Sequence, residues 1–410
     1  MNPINSIAEI RSLFPVLNEQ VNGKQLVYLD NAATTQKPIS VIDALQSYYL
    51  HDNANIHRSA HTLASRATEQ FESTRELLQT FINAKESAEC IFTKGVTESI
   101  NLVAASYGKL VLKAGDEVLL TEMEHHSNLV PWQRICAETG AVLKFIPIQT
   151  DGSIDLEAAL AIINPKVKIV SVVWVSNALG TINPIATIIE AAHAIGAKVM
   201  IDAAQAASHF KIDVQALDCD FMAISSHKLY GPTGLGVLYG KRELLEAMPP
   251  YQSGGEMIKE VFLTHSTYNE LPYKFEAGTP NIAAVIAFKM ALQFVTDIGH
   301  ETIAVHEKSL YDAFLLGIQQ SSFNKIKLIG TNPHKIAVQS FEVVGMHHFD
   351  VGMLLDASGI AVRTGHHCTQ PLMRKFGIEG TVRASFAIYN TAQEIDYFLA
   401  ALQKICDRIK

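Results

Sequence analysis

The sequence has few cysteines, and no two of them stand in a CxxC spacing. Its five cysteines, an odd number, are scattered along 410 residues, at Cys90, Cys136, Cys219, Cys368 and Cys406. Neither a disulfide framework nor a zinc ribbon is therefore expected, and a reducing compartment is predicted. The first fifteen residues also lack the basic start and long apolar stretch of a signal peptide, because Glu9 and Arg11 interrupt them. We expect a cytoplasmic protein.

Basic blocks and long charge-free segments are scarce as well. The chain has 33 Lys and Arg against 41 Asp and Glu, a net charge of −8, and lacks the basic patch of a nucleic-acid-binding protein. One window, 169–189, has no charged residue and is long enough to span a bilayer. Because Asn177, Gly180, Asn183 and Pro184 interrupt it, we interpret it as a buried strand, a polar turn and the start of a helix. Neither a nucleic acid nor a membrane is predicted as a partner.

What the chain does have is the balance of a globular protein, with 48% apolar and 18% charged residues. Short β-branched segments alternate with longer helical patterns. This rhythm predicts an α/β fold with a mostly parallel sheet and ligands at the carboxyl ends of its strands. The rhythm breaks in the Gly- and Pro-punctuated stretch 249–280. We therefore place a large α/β domain at residues 21–294 and a smaller α+β domain at 295–410, with residues 1–20 folded back onto the smaller one.

The sequence after residue 280 also predicts helices and strands. Residues 281–320 are predicted to form a long helical region, and strands are predicted near 335–341 and 360–363. Thr391 with Glu394 three residues later is a possible capping box. It opens an amphipathic helix whose apolar residues recur on one face, at Ile395, Phe398, Leu399, Leu402, Ile405 and Ile409.

Two clusters of polar residues follow predicted strands. DFMAIS ends at Ser225 and is followed by His227 and Lys228, while Asp202 and Gln205 lie within VMIDAAQA. A lysine desolvated at a strand end can form a Schiff base with a carbonyl cofactor. A buried carboxylate can pair with a protonated pyridine nitrogen, as in pyridoxal-phosphate enzymes. Taken singly, Lys228 is more commonly an exposed loop lysine, and Asp202 is equally well explained as a helix N-cap.

Two further strands are followed by groups that suit a cofactor. In TKGVTES a glycine precedes a predicted helix, so free backbone N–H groups and the Thr97 hydroxyl form a candidate phosphate-binding site. Ordinary helix capping produces such a sequence more often. His125 and His126 follow EVLLT. One imidazole could stack on a planar ring. Adjacent histidines face different directions, so a metal bound by both is not expected. The usual alternative is a polar turn in which the imidazoles have ordinary hydrogen-bond partners.

The segment AVRTGHHCTQPLMRKF carries a candidate nucleophile. Cys368 lies in a loop beside His366 and His367, and Pro371 is positioned to start a helix. A helix N-terminus and neighbouring imidazoles both stabilise a thiolate, whereas the other four cysteines lie in strand or helix patterns typical of packed interior residues. A metal bound by His366, His367 and Cys368 is the minor alternative, because adjacent ligands have the wrong spacing. Arg363 and Arg383 end apolar segments and could each bind a carboxylate or form a surface ion pair.

Together these segments resemble the group II cysteine desulfurases of the SufS type, which are fold-type I pyridoxal-phosphate enzymes of aminotransferase class V. The segments that carry the resemblance, in order, are YLDNAATT, ANIHRSAHTLA, GVTESINLVA, EHHSNLVPW, DAAQA, SSHKLYGPTG, EAGTPN and RTGHHCTQP. They cover about residues 28–389, and RTGHHC separates this type from general aminotransferases. Val96 and Ser226 stand where the family often has Thr and Gly. Val96 still offers its backbone N–H, so phosphate contact is assigned to Thr97 as the hydroxyl donor.

The resemblance implies roles for particular residues. Lys228 would hold pyridoxal phosphate as a Schiff base, His125 would stack on its ring, and Asp202 would pair with the ring nitrogen. The other implied cofactor contacts are Thr97, Gln205, Ser225, His227 and, from the second subunit of a homodimer, Thr279. The implied ligands of the substrate carboxylate are Asn177, Arg363 and Arg383.

The activity implied is the conversion of L-cysteine to L-alanine, with sulfur held as a persulfide on Cys368. The Lys228 amine would act as the base, and the Cys368 thiolate would attack the substrate sulfur. His125 would move protons, because an unperturbed imidazole with a pKa of about 6.5 suits neutral-pH transfer. A SufE-like or SufU-like acceptor would carry the sulfur to iron–sulfur cluster assembly.

Three alternatives stay open at this point: a selenocysteine lyase using the same site, an aminotransferase, and a non-enzymatic sulfur-relay partner. No metal is predicted. The few residues between Arg363 and Pro371 indicate a short loop from which the thiol cannot swing far, so the acceptor is expected to reach into the site.

Overall fold

The computed structural model describes residues 6–58, 60–320 and 323–409. The predicted domains also take in residues 1–5, 59, 321–322 and 410, which lie outside the described residues. The strands are β1 (Gln20–Val21), β2 (Lys24–Gln25), β3 (Val27–Tyr28), β4 (Cys90–Thr93), β5 (Glu117–Thr121), β6 (Val142–Ile146), β7 (Val167–Val173), β8 (Lys198–Asp202), β9 (Phe221–Ser225), β10 (Gly236–Gly240), β11 (Ile258–Val261), β12 (Ser266–Tyr268), β13 (Ile326–Ile329), β14 (Val338–Val343), β15 (Ile360–Ala361), β16 (Arg363–Gly365) and β17 (Thr381–Ser385). The α-helices are α1 (Ile7–Ser12), α2 (Ile39–Ser47), α3 (Thr62–Ile82), α4 (Val96–Val103), α5 (Lys109–Val111), α6 (Val130–Thr139), α7 (Leu156–Ile162), α8 (Ile185–Ala194), α9 (Val214–Leu217), α10 (Arg242–Ala247), α11 (Ile282–Ile298), α12 (His300–Ile318), α13 (His348–Asp356), α14 (Gln370–Phe376) and α15 (Ala392–Arg408).

The central sheet has seven strands in the order β4-β10-β9-β8-β7-β5-β6. Neighbours from β9 to β6 run parallel, as shown by the pairs Val173↔Asp202 and Asp202↔Ala223. Strands β5, β7, β8 and β9 are almost fully buried, as expected for parallel strands covered by helices on both faces, whereas the edge strand β6 is largely exposed. Their carboxyl ends therefore meet at one edge, and the predicted α/β class with a largely parallel sheet is confirmed.

Strand β10 runs antiparallel to both of its neighbours, so its first residue, Gly236, lies between the end of β4 and the end of β9. Gly236 is in register with Thr93 on one side and Ser225 on the other. A Cβ at Gly236 would lie 2.4 Å from the Cα of Gly95, so only glycine allows this approach. The turn between β4 and α4 is thereby placed beside Ser225.

The second half of the chain builds an antiparallel sheet in the order β13-β14-β17-β16. Helices α12 and α15 pack together on it, and Phe314 stacks on Phe398 with ring centroids 5.7 Å apart. The capping box of Thr391 and Glu394 is present at the start of α15 and is confirmed. The strand predicted at 360–363 is divided, because β15 pairs with β3 instead, while β16 joins this sheet.

The region 281–320 contains two helices rather than one. Helices α11 and α12 meet at an angle of 76° around Gly299, whose φ of 83° is a conformation that glycine adopts without strain. Within the described residues, no single helix is long and apolar enough to cross a membrane. Helices α11 and α12 reach that length and apolarity only when they are taken together. The window 169–189 is β7, a turn and the start of α8, as predicted.

The stretch 249–280 contains the hairpin β11–β12, which was not predicted from the sequence. At the other end of the chain, Phe14 packs between Phe294 and Tyr389, with ring centroids 5.5 Å and 4.6 Å away. Arg11 pairs with Glu394 at 2.8 Å. The N-terminal segment thus touches both α11 and the start of α15, and the division of the chain at residues 294 and 295 stays a prediction.

Candidate active site

A cavity of about 200 Å³ opens at the edge where β5, β7, β8 and β9 end. The predicted site residues that line it are Thr97, His125, Asn177, Asp202, Gln205, Ser225, His227, Lys228, Arg363, Cys368 and Arg383. Of the residues predicted for the site, Thr279 is the exception. Carboxyl ends of parallel strands are where α/β proteins bind ligands, so the position of the cavity follows from the topology.

Lys228 lies in the turn after β9, with its side chain facing the cavity. Burial lowers the pKa of Lys228 to about 8, Asp202 opposes this shift, and Arg383 adds to it. The side chain is therefore not that of an exposed loop lysine. An amine with a pKa this close to neutral is available as a nucleophile or base.

The backbone of the lysine turn is held by the segment that follows β3. The carbonyl oxygen of His227 accepts hydrogen bonds from Thr34 Oγ1 at 3.0 Å, Thr35 N at 3.1 Å and Lys37 Nζ at 3.0 Å. Burial lowers the pKa of Lys37 to about 7. These converging donors fix the peptide between His227 and Lys228, and the role of Lys37 was not anticipated from the sequence.

Asp202 is the last residue of β8 and is only 2% exposed. Its Oδ1 accepts a hydrogen bond from Ala204 N at 2.9 Å. Burial raises the pKa of the Asp202 carboxyl, while Lys228 lowers it. No described helix begins at this residue, since α9 starts only at Val214, so the N-cap explanation does not hold.

His125 follows β5, and Nδ1 lies 2.8 Å from Ser127 Oγ and 3.1 Å from Ser127 N. Burial, followed by the charge of Lys228, lowers the pKa of His125 to about 3. The imidazole is therefore neutral at pH 7. The expectation of an unperturbed pKa of about 6.5 is wrong here, because the ring lies in a buried site beside a cation.

The turn between β4 and α4 lies at one end of the cavity. Gly95 precedes α4 without a side-chain cap, and Thr97 is in the first turn of this helix. The N–H of Val96 donates to Ser225 Oγ at 3.0 Å, so the expectation that Val96 offers a free N–H is wrong. A more open cavity of about 640 Å³ shares Thr97, Ser225 and His227 with the first. Burial lowers the pKa of His227 to about 4.

The two predicted arginines differ in their surroundings. Arg383 is 1% exposed and donates to Asn177 O at 2.8 Å and to Asp30 Oδ1 at 3.0 Å. Its Nε is buried without a partner among the described residues. The Arg363 side chain is 42% exposed, with Nη1 3.9 Å from Asp30 Oδ2. Neither is a simple surface ion pair, and Asp30, which joins them, was not singled out from the sequence although it lies in YLDNAATT.

Cys368 lies in a four-residue loop between β16 and α14. The Cys368 carbonyl oxygen accepts a hydrogen bond from His126 N at 2.8 Å, and its N–H donates to His366 Nδ1 at 3.1 Å. Gln370 N donates to His126 Nε2 at 3.2 Å. Both imidazoles are thus engaged with the loop backbone, and the loop is as short as predicted.

The same loop is joined to the strand edge through His367. The Asn177 side chain donates to His367 O at 2.8 Å, and His367 Nε2 lies 2.8 Å from Thr381 Oγ1. His367 and Cys368 both have positive φ, at 51° and 58°, which side chains adopt only when their surroundings demand it. Burial lowers the pKa of His367. This buried role of His367 was missed in the sequence, where it was weighed as a neighbour that stabilises the Cys368 thiolate and as a metal ligand.

The other four cysteines are packed in the interior, as predicted. Burial raises the pKa of Cys90 to about 12 and that of Cys136 to about 11, and it also raises those of Cys219 and Cys406. Cys368 alone among the cysteines lines the cavity. In the described part of the chain, no three His, Cys, Asp or Glu side chains are grouped to hold a metal ion.

Thr279 is exposed and lies in a neighbouring cavity of about 400 Å³ with Glu276 and Tyr251. It therefore does not line the catalytic cavity of its own chain. Its contribution from a second subunit stays a prediction.

The chain is similar over nearly its whole length to known proteins. The aminotransferase class-V family matches residues 27–398. A probable cysteine desulfurase of Synechocystis sp. is 51% identical over 399 residues, covering 97% of this chain and 94% of the relative. A cysteine desulfurase of Dickeya dadantii is 47% identical over 400 residues, covering 97% of this chain and 96% of the relative. The crystal structure of the cysteine desulfurase CsdA from Escherichia coli has a TM-score of 0.92 at 38% identity, covering 99% of this chain and 100% of that one.

The chain therefore belongs to the aminotransferase class-V family and, within it, to the cysteine desulfurases. Its fold is that of the fold-type I enzymes, as the resemblance implied.

Proposed function

We propose that this protein converts L-cysteine to L-alanine and keeps the released sulfur as a persulfide on Cys368, in the manner of the group II, SufS-type enzymes. The observation that carries the proposal is that the Cys368 thiol and the Lys228 amine face one small cavity together with Asp202 and His125. A general aminotransferase has no use for a thiol at this place.

The cavity fits pyridoxal phosphate by the chemistry of its groups. It offers a buried primary amine, a buried carboxylate and a flat neutral imidazole, and at one end hydroxyls and N–H groups at the start of α4. Lys228 would hold the cofactor covalently, and Asp202 would face its ring nitrogen. His125 would lie on the ring, Gln205 near O3′, and Thr97, Ser225 and His227 at the phosphate. When bound, pyridoxal phosphate supplies an electron sink that acidifies the Cα–H bond of the substrate.

The residues of the chain supply the remaining chemistry. The free Lys228 amine takes the Cα proton, because burial keeps a usable fraction of it neutral. The Cys368 thiolate attacks the substrate sulfur, the Cβ–S bond breaks, and the carbon keeps the electron pair and takes up a proton. The products are alanine and a Cys368 persulfide, so no external oxidant or reductant is consumed.

His125 and Arg383 position the substrate. With Nδ1 accepting the Ser127 N–H, the neutral His125 ring carries its proton on Nε2, which would donate a hydrogen bond to the substrate sulfur. Arg383 is held by Asp30 and Asn177, and its unpartnered Nε suits a carboxylate oxygen. Arg363, less buried, would close on the same carboxylate from the mouth of the cavity.

The persulfide needs an acceptor that reaches it. The Cys368 loop is four residues long and is tied to His126 and Asn177, so the thiol cannot swing outward. A SufE-like or SufU-like protein would therefore insert its own thiol into the cavity and pass sulfur to iron–sulfur cluster assembly in the cytoplasm. A homodimer would complete the site with Thr279.

The deciding experiment is an absorbance spectrum of the purified protein before and after addition of L-cysteine, with alanine and sulfide measured in the same tube. A yellow protein that forms alanine in step with transferable sulfur supports the proposal. A protein that stays colourless and inactive after incubation with pyridoxal phosphate refutes it and favours the sulfur-relay alternative. Release of a keto acid in place of alanine would favour the aminotransferase.

Selenocysteine lyase activity uses the same groups, but selenium can leave without a protein thiol. Alanine release from L-selenocysteine by the Cys368→Ala variant, with none from L-cysteine, would show that both chemistries share the site. Loss of both reactions in this variant would show that Cys368 is needed for each, and only a parent protein that releases no alanine from L-selenocysteine would be restricted to sulfur.

A further inference from the structure

Two imidazoles beside Cys368 take part in no step of the proposed reaction. His126 lies in the turn after β5, and His366, which is exposed, comes two residues before Cys368. Their ring centroids are 5.7 Å apart, and the ring planes are inclined by 35°. Because both rings lie against the loop that carries the thiol, their hydrogen bonds determine what they contribute to it.

Each imidazole accepts a hydrogen bond from a backbone N–H group. Cys368 N donates to His366 Nδ1 at 3.1 Å, and Gln370 N donates to His126 Nε2 at 3.2 Å. A ring nitrogen that accepts has a lone pair and no proton, so the proton of each ring lies on its other nitrogen. The donors that face the rings therefore assign Nε2–H to His366 and Nδ1–H to His126, with both rings neutral.

The backbone of Cys368 is held by these histidines on both sides. Its N–H donates to the His366 ring, and its carbonyl oxygen accepts from His126 N at 2.8 Å. His367 and Cys368 have φ values of 51° and 58°, and two successive side-chain-bearing residues keep this conformation only where other contacts impose it. Since a neutral imidazole brings no positive charge to the thiol, what His126 and His366 supply to Cys368 is its position.

We propose that His126 and His366 are positioning residues, whose neutral imidazoles hold the Cys368 thiol at the wall of the catalytic cavity. The His366 ring closes a turn by accepting from the N–H two residues later, as an asparagine side chain does in an Asx turn. The His126 ring binds the N–H of Gln370, the first residue of α14, and so fixes the far end of the loop. The inference rests on the proposed role of Cys368, but its first two tests need no turnover.

The first test determines the tautomers by NMR of the cofactor-loaded protein with isotope-labelled histidine. The chemical shifts of the ring nitrogens distinguish a nitrogen that carries a proton from one that has a lone pair. His366→Asn and His126→Gln assign the two sets of signals, because each variant removes one set. We expect Nε2–H at His366 and Nδ1–H at His126. The opposite tautomer at both rings would overturn the proposal.

The second test measures how firmly the loop is held, by alkylation of Cys368 with N-ethylmaleimide and with the bulkier N-pyrenylmaleimide. Both reagents attack through the thiolate, so the ratio of their rates cancels the thiolate fraction and reports access to the sulfur. The ratio of the bulky to the small reagent should rise at least about fivefold in His366→Ala and in His126→Ala. His334→Ala, which changes an exposed histidine elsewhere, is the control and should keep the parent ratio.

Conservative variants separate the hydrogen bond from the bulk of the ring. The Asn oxygen in His366→Asn can take the place of Nδ1, and the Gln oxygen in His126→Gln that of Nε2, so both variants keep an acceptor. Their alkylation ratios should stay within about twofold of the parent ratio. An Asn or Gln variant that behaves like its alanine counterpart would overturn the proposal.

The third test follows turnover of L-cysteine. Persulfide formation on Cys368 should slow at least about tenfold in the two alanine variants, because the thiol is misplaced. The KM for L-cysteine and the absorbance of the bound cofactor should not change, and the Asn and Gln variants should regain the parent rate. Unchanged alkylation ratios and rates in both alanine variants would contradict the proposal.

Failure of the proposed function is recognised separately. A parent protein that forms no persulfide would refute that function, whereas the tautomers and alkylation ratios would still decide whether the histidines hold the loop. If His126→Ala does not fold, the His366 variants decide the question, since His366 is exposed.

Discussion

At the scale of single residues, burial controls the protonation of the amine and the imidazole that face the catalytic cavity. The pKa of Lys228 falls to about 8 and that of His125 to about 3. Both shifts have the same sign because a low-dielectric site disfavours cations, and the charge of Lys228 further suppresses that of His125. The site thus holds a reactive amine beside a neutral aromatic ring. From sequence alone these residues could be chosen but their pKa values could not, because the shifts come from neighbours that only the fold supplies.

The first prediction concerns pH. Covalent attachment of pyridoxal phosphate to the apoprotein should accelerate as pH rises through about 8, since only the neutral Lys228 amine is a nucleophile. An unshifted lysine would place the rise near about 10.4. Stopped-flow measurement of the yellow bound form across neutral and alkaline pH checks this, and a rise centred near the unshifted value would contradict it.

The first prediction extends to protein stability, through the same shift in the pKa of Lys228. The folded pKa of Lys228 lies below the unfolded one, so the folded state binds fewer protons between about pH 8 and about pH 10.4. The destabilising effect of the buried amine therefore decreases as pH rises through this window. The apoprotein should gain stability there relative to Lys228→Met, measured by urea unfolding, whereas parallel pH curves for the two proteins would rule the shift out.

The second prediction at this scale concerns Cys368. Cys368→Ala should bind the cofactor with unchanged absorbance but form persulfide from L-cysteine at least about 100-fold more slowly, because the nucleophile is gone. Cys136→Ala, which removes a buried thiol far from the cavity wall, is the control and should stay active. Persulfide is measured by alkylation and mass spectrometry. Normal persulfide formation in Cys368→Ala would remove Cys368 from the mechanism.

At the scale of elements, the strand ends were predictable, whereas the contacts between distant segments were not. Polar residues follow β5, β7, β8 and β9, and parallel pairing brings them together. By contrast, Asp30 and Arg383 are 353 residues apart in the sequence, so no local sequence pattern predicts their ion pair. The hairpin β11–β12 was missed because its strands are exposed at nearly every position, so the segments IKEV and STY show no alternation of apolar and polar residues. Helices α11 and α12 were merged because their apolar pattern continues across Gly299.

The third prediction tests the start of α15. In Thr391→Ala the N–H of Glu394 loses its acceptor, Thr391 Oγ1, at 3.3 Å, whereas the backbone N–H of residue 391 can still donate to Glu394 Oε2. The free energy of unfolding should fall by about 1 kcal/mol. Thr391→Ser keeps the hydroxyl and should remain close to the parent protein. Urea unfolding of the three proteins checks this, and equal values for Ala and Ser would show that the cap contributes nothing.

The fourth prediction concerns the contact that joins α3 to β4 and to the segment before α11. Arg75, 1% exposed, bonds Glu276 at 2.6 Å, Glu72 at 2.9 Å and Cys90 O at 2.8 Å. Arg75→Ala leaves Glu276 buried without its cation and should cost about 3–5 kcal/mol. Arg66→Ala breaks an exposed pair with Asp52 and should cost less than about 1 kcal/mol. Similar losses in both variants, by urea unfolding, would contradict the role of burial.

At the scale of the whole molecule, several features are consistent with the proposed homodimer. Thr279 is exposed and turned toward a cavity other than the catalytic one. The larger cavity at the α4 end of the site is open. Exposed apolar side chains, Ile42, Tyr49, Leu50 and Leu63, cluster around α2 and the start of α3. The proposed homodimer would cover this exposed apolar surface, as interfaces between identical chains do.

The last prediction tests this dimer by complementation. Thr279→Asp would place a carboxylate near the phosphate of the partner's cofactor, and Lys228→Ala removes the amine from its own site, so each homodimer should be inactive. A mixed dimer contains one site with an intact Lys228 and, from the other subunit, an intact Thr279. Co-expressed copies with different tags, purified through both tags, should therefore recover about half of the parent activity per dimer. If the mixed dimer stays inactive while the parent protein with both tags is active, Thr279 does not serve the partner's site, because only a contact between subunits lets the two defects compensate.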